Sequence, residues 1–175
     1  EYTVYEVIPE GATAENNYTV NGVTYDSKTV NVKVTVTYNK ETGELKAELA
    51  KDSEAIAFQN SYETKTSIGL EGTKSLSGRT LKDGEFTFEV KDKAGKVVAT
   101  GSNKSDGSIS FNNKLNYKLS DLEKADGSYE SEKTYEYTVN EVIPEGATAE
   151  NNYTVNGVTY DNSIFTVKVI VSYDQ

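Results

Sequence analysis

Four residues carry the side-chain types of a self-sufficient cross-linking chemistry: Glu6, Asn60, Lys74 and Glu141. In "IGLEGTKSL" (68–76), Ile68, Leu70, Gly72, Lys74 and Leu76 share one parity, so a strand here puts Lys74 on an otherwise apolar face. The same count in "AIAFQNSY" (55–62) groups Asn60 with Ile56, Phe58 and Tyr62 and places it inside. In "YEYTVNEVI" (135–143) it groups Glu141 with Tyr135, Tyr137, Val139 and Ile143, and an earlier copy groups Glu6 with Tyr2, Val4 and Ile8. A lysine taken out of water gives up its proton readily, and the free amine is a nucleophile. A glutamate taken out of water keeps its proton and can hydrogen-bond to an amide carbonyl and polarise it. An amine facing the Asn carbonyl at attack distance can expel ammonia and leave an isopeptide bond, with Glu relaying protons and no cofactor. Taken singly, an inward Lys or Glu is more often a snorkelling side chain or half of an ion pair, and an inward Asn a satisfied core amide.

Composition narrows the alternatives. The 175 residues carry a formal net charge of −10, which disfavours nucleic acid and anionic membranes as partners. Cys, Met, Trp and His are absent while Tyr occurs 13 times, so disulfides, thiol nucleophiles, zinc fingers and histidine acid–base chemistry drop out together. The lack of oxidisable sulfur fits an extracellular life. No signal peptide or membrane-spanning run is present, so a secreted protein would hold this chain as an internal piece.

The elements that must position these residues read as strands. Two-residue alternation rich in Val, Thr, Tyr and Phe marks 29–38, 55–62, 84–90, 135–142 and 165–173, separated by turns such as "NGVT", "KDGE" and "SDGS". Only "SDLEKA" (120–125) suggests a helical turn, with Ser120 as its cap. The pattern predicts an all-β chain of antiparallel sandwiches.

An internal repeat sets the organisation. "EYTVYEVIPEGATAENNYTVNGVTYD" (1–26) returns as "EYTVNEVIPEGATAENNYTVNGVTYD" (136–161), an offset of 136 − 1 = 135, with only Tyr5 and Asn140 differing. The expected layout is the C-terminal half of one repeat over 1–62, a taut connector at 63–67, and the N-terminal part of the next repeat over 68–175, lacking its last strands.

"KSLSGRTLKDGEFTFEVKDKAGKVVATGSNKSDGSISF" (74–111), with "YEYTVNEV" and "IAFQNSY", resembles the streptococcal-type pilin isopeptide-linkage repeat of FctA-like major pilins and Gram-positive surface adhesins. The resemblance implies tandem immunoglobulin-like sandwiches of the collagen-adhesin B type. It also implies that Lys74 and Asn60 are cross-link residues and that Glu141 and Glu6 are the proton-relaying acids. A family repeat runs Lys, Glu, Asn; here the order is Glu6, Asn60, Lys74, Glu141. Three arrangements are open: a window on a longer repetitive stalk, Asn60 of one chain meeting Lys74 of another, or a permuted domain in which the two meet within one chain. The last requires 61–73 to return the chain along the domain, close to the shortest connection parallel neighbours allow.

The expected function is mechanical: a stalk or pilus-like repeat at the cell surface, wall-anchored through other regions, tied by Lys–Asn bonds that constrain the unfolded chain as a disulfide does. Its partners are neighbouring repeats or further copies of the chain; it needs no cofactor or metal, and it is no turnover enzyme. The rival is an adhesive module gripping a host protein or glycan through sandwich-end loops, with Tyr18, Tyr25, Tyr153 and Tyr160 as contacts. The "NNYT" acceptor motifs and the Asp/Gly turns read as incidental sequence and turn chemistry, not as glycan or calcium sites.

Overall fold

The computed structural model describes residues 1–174 and divides the chain into two compact units, Glu1–Thr64 and a second beginning at Lys65. Both are all-β and antiparallel; the described residues hold no α-helix, only short 3-10 turns.

In the first unit, β1 (Tyr2–Tyr5) pairs with β4 (Thr29–Val32), setting Val4 opposite Val30. Between them a 3-10 turn (Ala14–Asn16) leads into the hairpin β2 (Thr19–Val20) and β3 (Val23–Thr24). Asn21 and Gly22 at its tip both have positive φ, the geometry of an Asn-Gly two-residue turn. Strands β5 (Val34–Tyr38) and β6 (Leu45–Leu49) form a second hairpin, and β7 (Ser61–Tyr62) adds to the edge of β3. The predicted strand over 29–38 is interrupted at Lys33, whose backbone N–H bonds to the Ser53 hydroxyl instead of a ladder partner.

The second unit carries a six-stranded sheet in the order β17-β14-β10-β11-β12-β9. Its members are β9 (Gly72–Thr73), β10 (Thr87–Asp92), β11 (Val97–Asn103), β12 (Ser108–Phe111), β14 (Glu132–Glu141) and β17 (Ile164–Ser172). A second layer pairs β8 (Lys65–Ile68) with β13 (Leu115–Lys118). Leu115 and Tyr117 of this layer bury against Val90, Ala99, Tyr137 and Val169 of the large sheet, which makes the unit an immunoglobulin-like sandwich. A second cluster of Leu81, Phe86 and Phe88 fills the end nearer Lys74. The repeat copies of the first hairpin are β15 (Thr154–Val155) and β16 (Val158–Thr159).

Three expectations are corrected. The connector at 63–67 shrinks to Glu63–Thr64, because Lys65–Ile68 is recruited as β8 by Leu115–Lys118. The strand expected over 55–62 survives only at Ser61–Tyr62, because the Gln59 N–H bonds to the Asp26 carboxylate rather than to a neighbouring strand. The helical turn spans Leu119–Leu122, and its entry is held by the Asp121 carboxylate accepting from the Lys118 N–H at 2.8 Å, so Ser120 lies inside the turn.

The two units differ in how well their apolar faces are covered. Nearly all buried core side chains belong to the second unit; the first buries Ala12, Val30 and Val32, while Val34, Val36, Tyr38, Leu45, Leu49 and Ile56 stay exposed.

Candidate functional site: two half-occupied carboxylates

Lys74 follows β9 directly, and the Lys74 backbone N–H donates to the Gly107 carbonyl at 2.7 Å. Gly107 has φ +90, and a Cβ there would meet the Lys74 carbonyl oxygen at 2.9 Å, so this approach depends on glycine. The Lys74 side chain turns inward, as parity predicted, with 12% of its surface exposed. Its Nζ donates to Glu141 Oε2 at 2.5 Å and sits 4.4 Å from the centre of the Phe86 ring.

Glu141 ends β14, paired opposite Phe88, and its side chain is 3% exposed. Burial pushes its carboxyl above the ordinary range; the Lys74 contact opposes that rise, the negative charge of Asp161 adds to it, and the backbone N–H of Asp161, which faces the carboxylate, opposes it weakly. Glu141 Oε1 is buried and has no hydrogen-bond partner among the described residues. A cleft of about 400 Å³ opens beside the pair, lined by Gly72, Lys74, Glu141, Asp161 and Phe165 among others.

The first unit builds a matching arrangement from Glu6 and Asn60. Asn60 Nδ2 donates to Glu6 Oε1 at 2.6 Å, and Asn60 Oδ1 accepts from the Asp26 backbone N–H at 2.9 Å. Glu6 Oε2 is buried and has no hydrogen-bond partner among the described residues. Asn60 itself is exposed rather than inside, and its expected face is open: Ile56 is 57% and Tyr62 50% exposed. The contact differs from expectation too, since Glu6 touches the amide nitrogen and a backbone N–H holds the carbonyl. Because that N–H can only donate, the amide orientation is fixed.

The structure therefore brings Asn60 to Glu6 and Lys74 to Glu141, each within its own unit. Sequence reasoning missed Asp26, Asp161 and Asn103. Asp26 and Asp161 are the last residues of the repeated stretch that differs only at Tyr5 and Asn140, which was the available signal. Asn103 is buried; its Oδ1 accepts from the Phe86 N–H at 2.7 Å and its Nδ2 donates to the Lys82 and Lys104 carbonyls, fixing the loop that sets Phe86 beneath Lys74. Its signal was parity, since Ala99, Gly101 and Asn103 share one face of β11.

A family model described as FctA, the Spy0128-like isopeptide containing domain, matches residues 1–63 and 70–175. The chain belongs to this family. No curated protein and no solved structure matches it significantly. The family's two matched stretches fall one in each unit, so the unit holding Glu6 and Asn60 and the unit holding Lys74 and Glu141 are both FctA-type.

Proposed function

We propose that this chain is a structural repeat of a Gram-positive surface stalk or pilus, matured by Lys–Asn isopeptide bonds that form across repeat boundaries. On this reading, 1–62 is the C-terminal half of one repeat and 68–175 the N-terminal part of the next. Asn60 takes its lysine, and Lys74 its asparagine, from neighbouring repeats or from other copies of the chain. The observation that carries the reading is the pair of carboxylates that each hold one reaction partner and keep one oxygen buried and vacant of hydrogen bonds. The exposed apolar residues of the first unit are a second support, because a covering half-domain would bury them.

In the reaction, the Lys amine attacks the Asn side-chain carbon and its C–N bond to the old amide nitrogen breaks. One amine proton passes through Glu to that nitrogen, which leaves as ammonia. The 2.5 Å Lys74–Glu141 contact is the path for the first transfer, and the 2.6 Å Asn60–Glu6 contact is the path for the last. Each acid acts once, in maturation, so the protein is not a turnover enzyme. The bond cannot be reduced, which suits an extracellular, load-bearing location; no helix among the described residues is long and apolar enough to cross a membrane.

Intact mass under denaturing conditions, beside a denaturing gel, tests the proposal. A covalent ladder means that domains are completed between chains. An unmodified monomer that gains a covalent partner, less one ammonia, when a lysine- or asparagine-bearing neighbouring repeat is supplied means completion along the stalk. A monomer already lighter by one ammonia means Lys74 has reached Asn60 within the chain, and completion across repeats is then wrong. No adduct under any of these conditions removes the isopeptide reading altogether.

A further inference from the structure

We infer that the backbone N–H of Asp26, and that of Asp161 at the repeat-equivalent position, is the oxyanion donor of this cross-linking reaction, while the Asp carboxylate clamps the asparagine strand in register. The inference rests on the isopeptide reading and adds a group that the Lys, Glu and Asn residues leave unsupplied.

The geometry in the first unit divides the labour. When an amine adds to the Asn60 side-chain carbon, negative charge develops on Oδ1 before ammonia leaves. Glu6 lies on the nitrogen side of the amide at 2.6 Å and is placed to protonate the leaving nitrogen. The carbonyl oxygen instead receives the Asp26 N–H at 2.9 Å, within the range of a working oxyanion donor. The Asp26 carboxylate then takes the N–H of the preceding residue, Gln59, at 3.1 Å. Asp26 thus grips residues 59 and 60 with main chain and side chain together, and a one-residue slip would turn Asn60 away from Glu6.

Asp26 is kept charged for the clamp. Its carboxyl is held below the usual range first by Lys28, whose Nζ lies 2.8 Å away, and then by the Gln59 N–H. In the second unit, Asp161 is held low by Ser163, first through its hydroxyl and then through its backbone N–H, which donates at 2.9 Å. With no asparagine against it, the Asp161 N–H faces Glu141 at the wall of the cleft. The part Asp26 plays on Asn60 is open to Asp161 for an incoming strand.

The test uses the whole 175-residue chain with an excess of a synthetic peptide of residues 41–64, which contains Asn60 and continues the repeat register, since 175 − 135 = 40. Mass spectrometry follows an adduct lighter than the sum by one ammonia as a function of peptide concentration. Replacing the residue 161 amide link by an ester through semisynthesis removes only the N–H; the maximal rate should fall about 10²- to 10³-fold. Asp161→Ala keeps the N–H and loses the clamp, so the half-saturating peptide concentration should rise about tenfold. Equal maximal rates for the ester and the unaltered chain overturn the oxyanion assignment. An Asp161→Ala variant that saturates like the unaltered chain overturns the clamp. Failure of the unaltered chain to form any adduct, with Lys74→Ala as its blank, removes the underlying isopeptide reading and this inference with it.

Discussion

Glu6 and Glu141 stand 135 residues apart at equivalent places in a repeat, and each binds one partner through one oxygen while burying the other without a hydrogen-bond partner among the described residues. Glu6 holds an asparagine amide and Glu141 a lysine amine. Each unit thus displays the half of a three-residue site that the other unit does not.

The Lys74–Glu141 pair is buried on both sides, so removing one member leaves an uncompensated charge. Glu141→Ala should cost the second unit about 3–5 kcal/mol in urea unfolding. The double variant Lys74→Met with Glu141→Leu should recover most of that loss, because replacing both charges by apolar groups of similar size is often neutral or better. A single variant costing under about 1 kcal/mol would show the pair relaxes into water.

The same pair predicts an unusual pH response. Burial raises the Glu141 carboxyl above its ordinary 4.5, so between those values the folded chain holds a proton that the unfolded chain releases. Stability then falls as pH climbs from 4.5 through the folded value. Asp106, Asp126 and Asp161 are lowered, chiefly by hydrogen bonds from Ser108, Ser128 and Ser163, so their contribution is present above 3.8 and disappears as pH drops below it. Glu85 and Glu136 are lowered too, chiefly by hydrogen bonds from Arg79 and Lys168, so their contribution is present above 4.5 and is lost as pH drops below it, opposite in sign to that of Glu141. Glu141→Gln should flatten the upper slope and leave the acid slope; an unaltered upper slope would assign it to another group.

The inward turn of Glu141 was legible because β14 is long and regular and buries Tyr137 and Glu141 on one parity, so parity carries directly to burial. The same count failed for Asn60, although the residue types are similar. The stretch bonds to the side chain and backbone of Asp26, and Ile56 and Tyr62 of the apolar face it relied on stay exposed. Parity reads which way a side chain points, but not whether another layer is there to cover it. Lys74 shows a further limit, since it lies beyond a two-residue strand and its orientation depends on the Gly107 contact.

Asn103 links the second unit's core to its chemistry. Asn103→Leu would leave the buried Phe86 N–H without its partner, costing about 1–3 kcal/mol. Freed from this tie, Phe86 should no longer hold its ring 4.4 Å from the Lys74 ammonium. The check is the ring-current shift of the Lys74 ε-methylene protons: a stability loss without a change in that shift would separate packing from the cation–ring contact.

Gly22 and Gly157 occupy identical sequence in the two copies, yet their surroundings differ. A Cβ on Gly22 would meet the Glu63 carbonyl oxygen at 2.7 Å and the Tyr62 ring at 2.9 Å, whereas a Cβ on Gly157 meets nothing. Both have positive φ, so alanine at either site costs about 1 kcal/mol of backbone strain. Only at Gly22 must the alanine also push β7 away, and β7 begins next to Asn60. Gly22→Ala should therefore loosen the Asn60–Glu6 contact, seen as lost protection of the Asn60 side-chain amide in hydrogen exchange, while Gly157→Ala leaves the Lys74–Glu141 pair intact. If the cleft by Asp161 accepts a strand as β3 accepts β7, Gly157→Ala should weaken capture of the 41–64 peptide without altering the free protein beyond the strain cost. Equal capture by both forms would place the incoming strand away from β16.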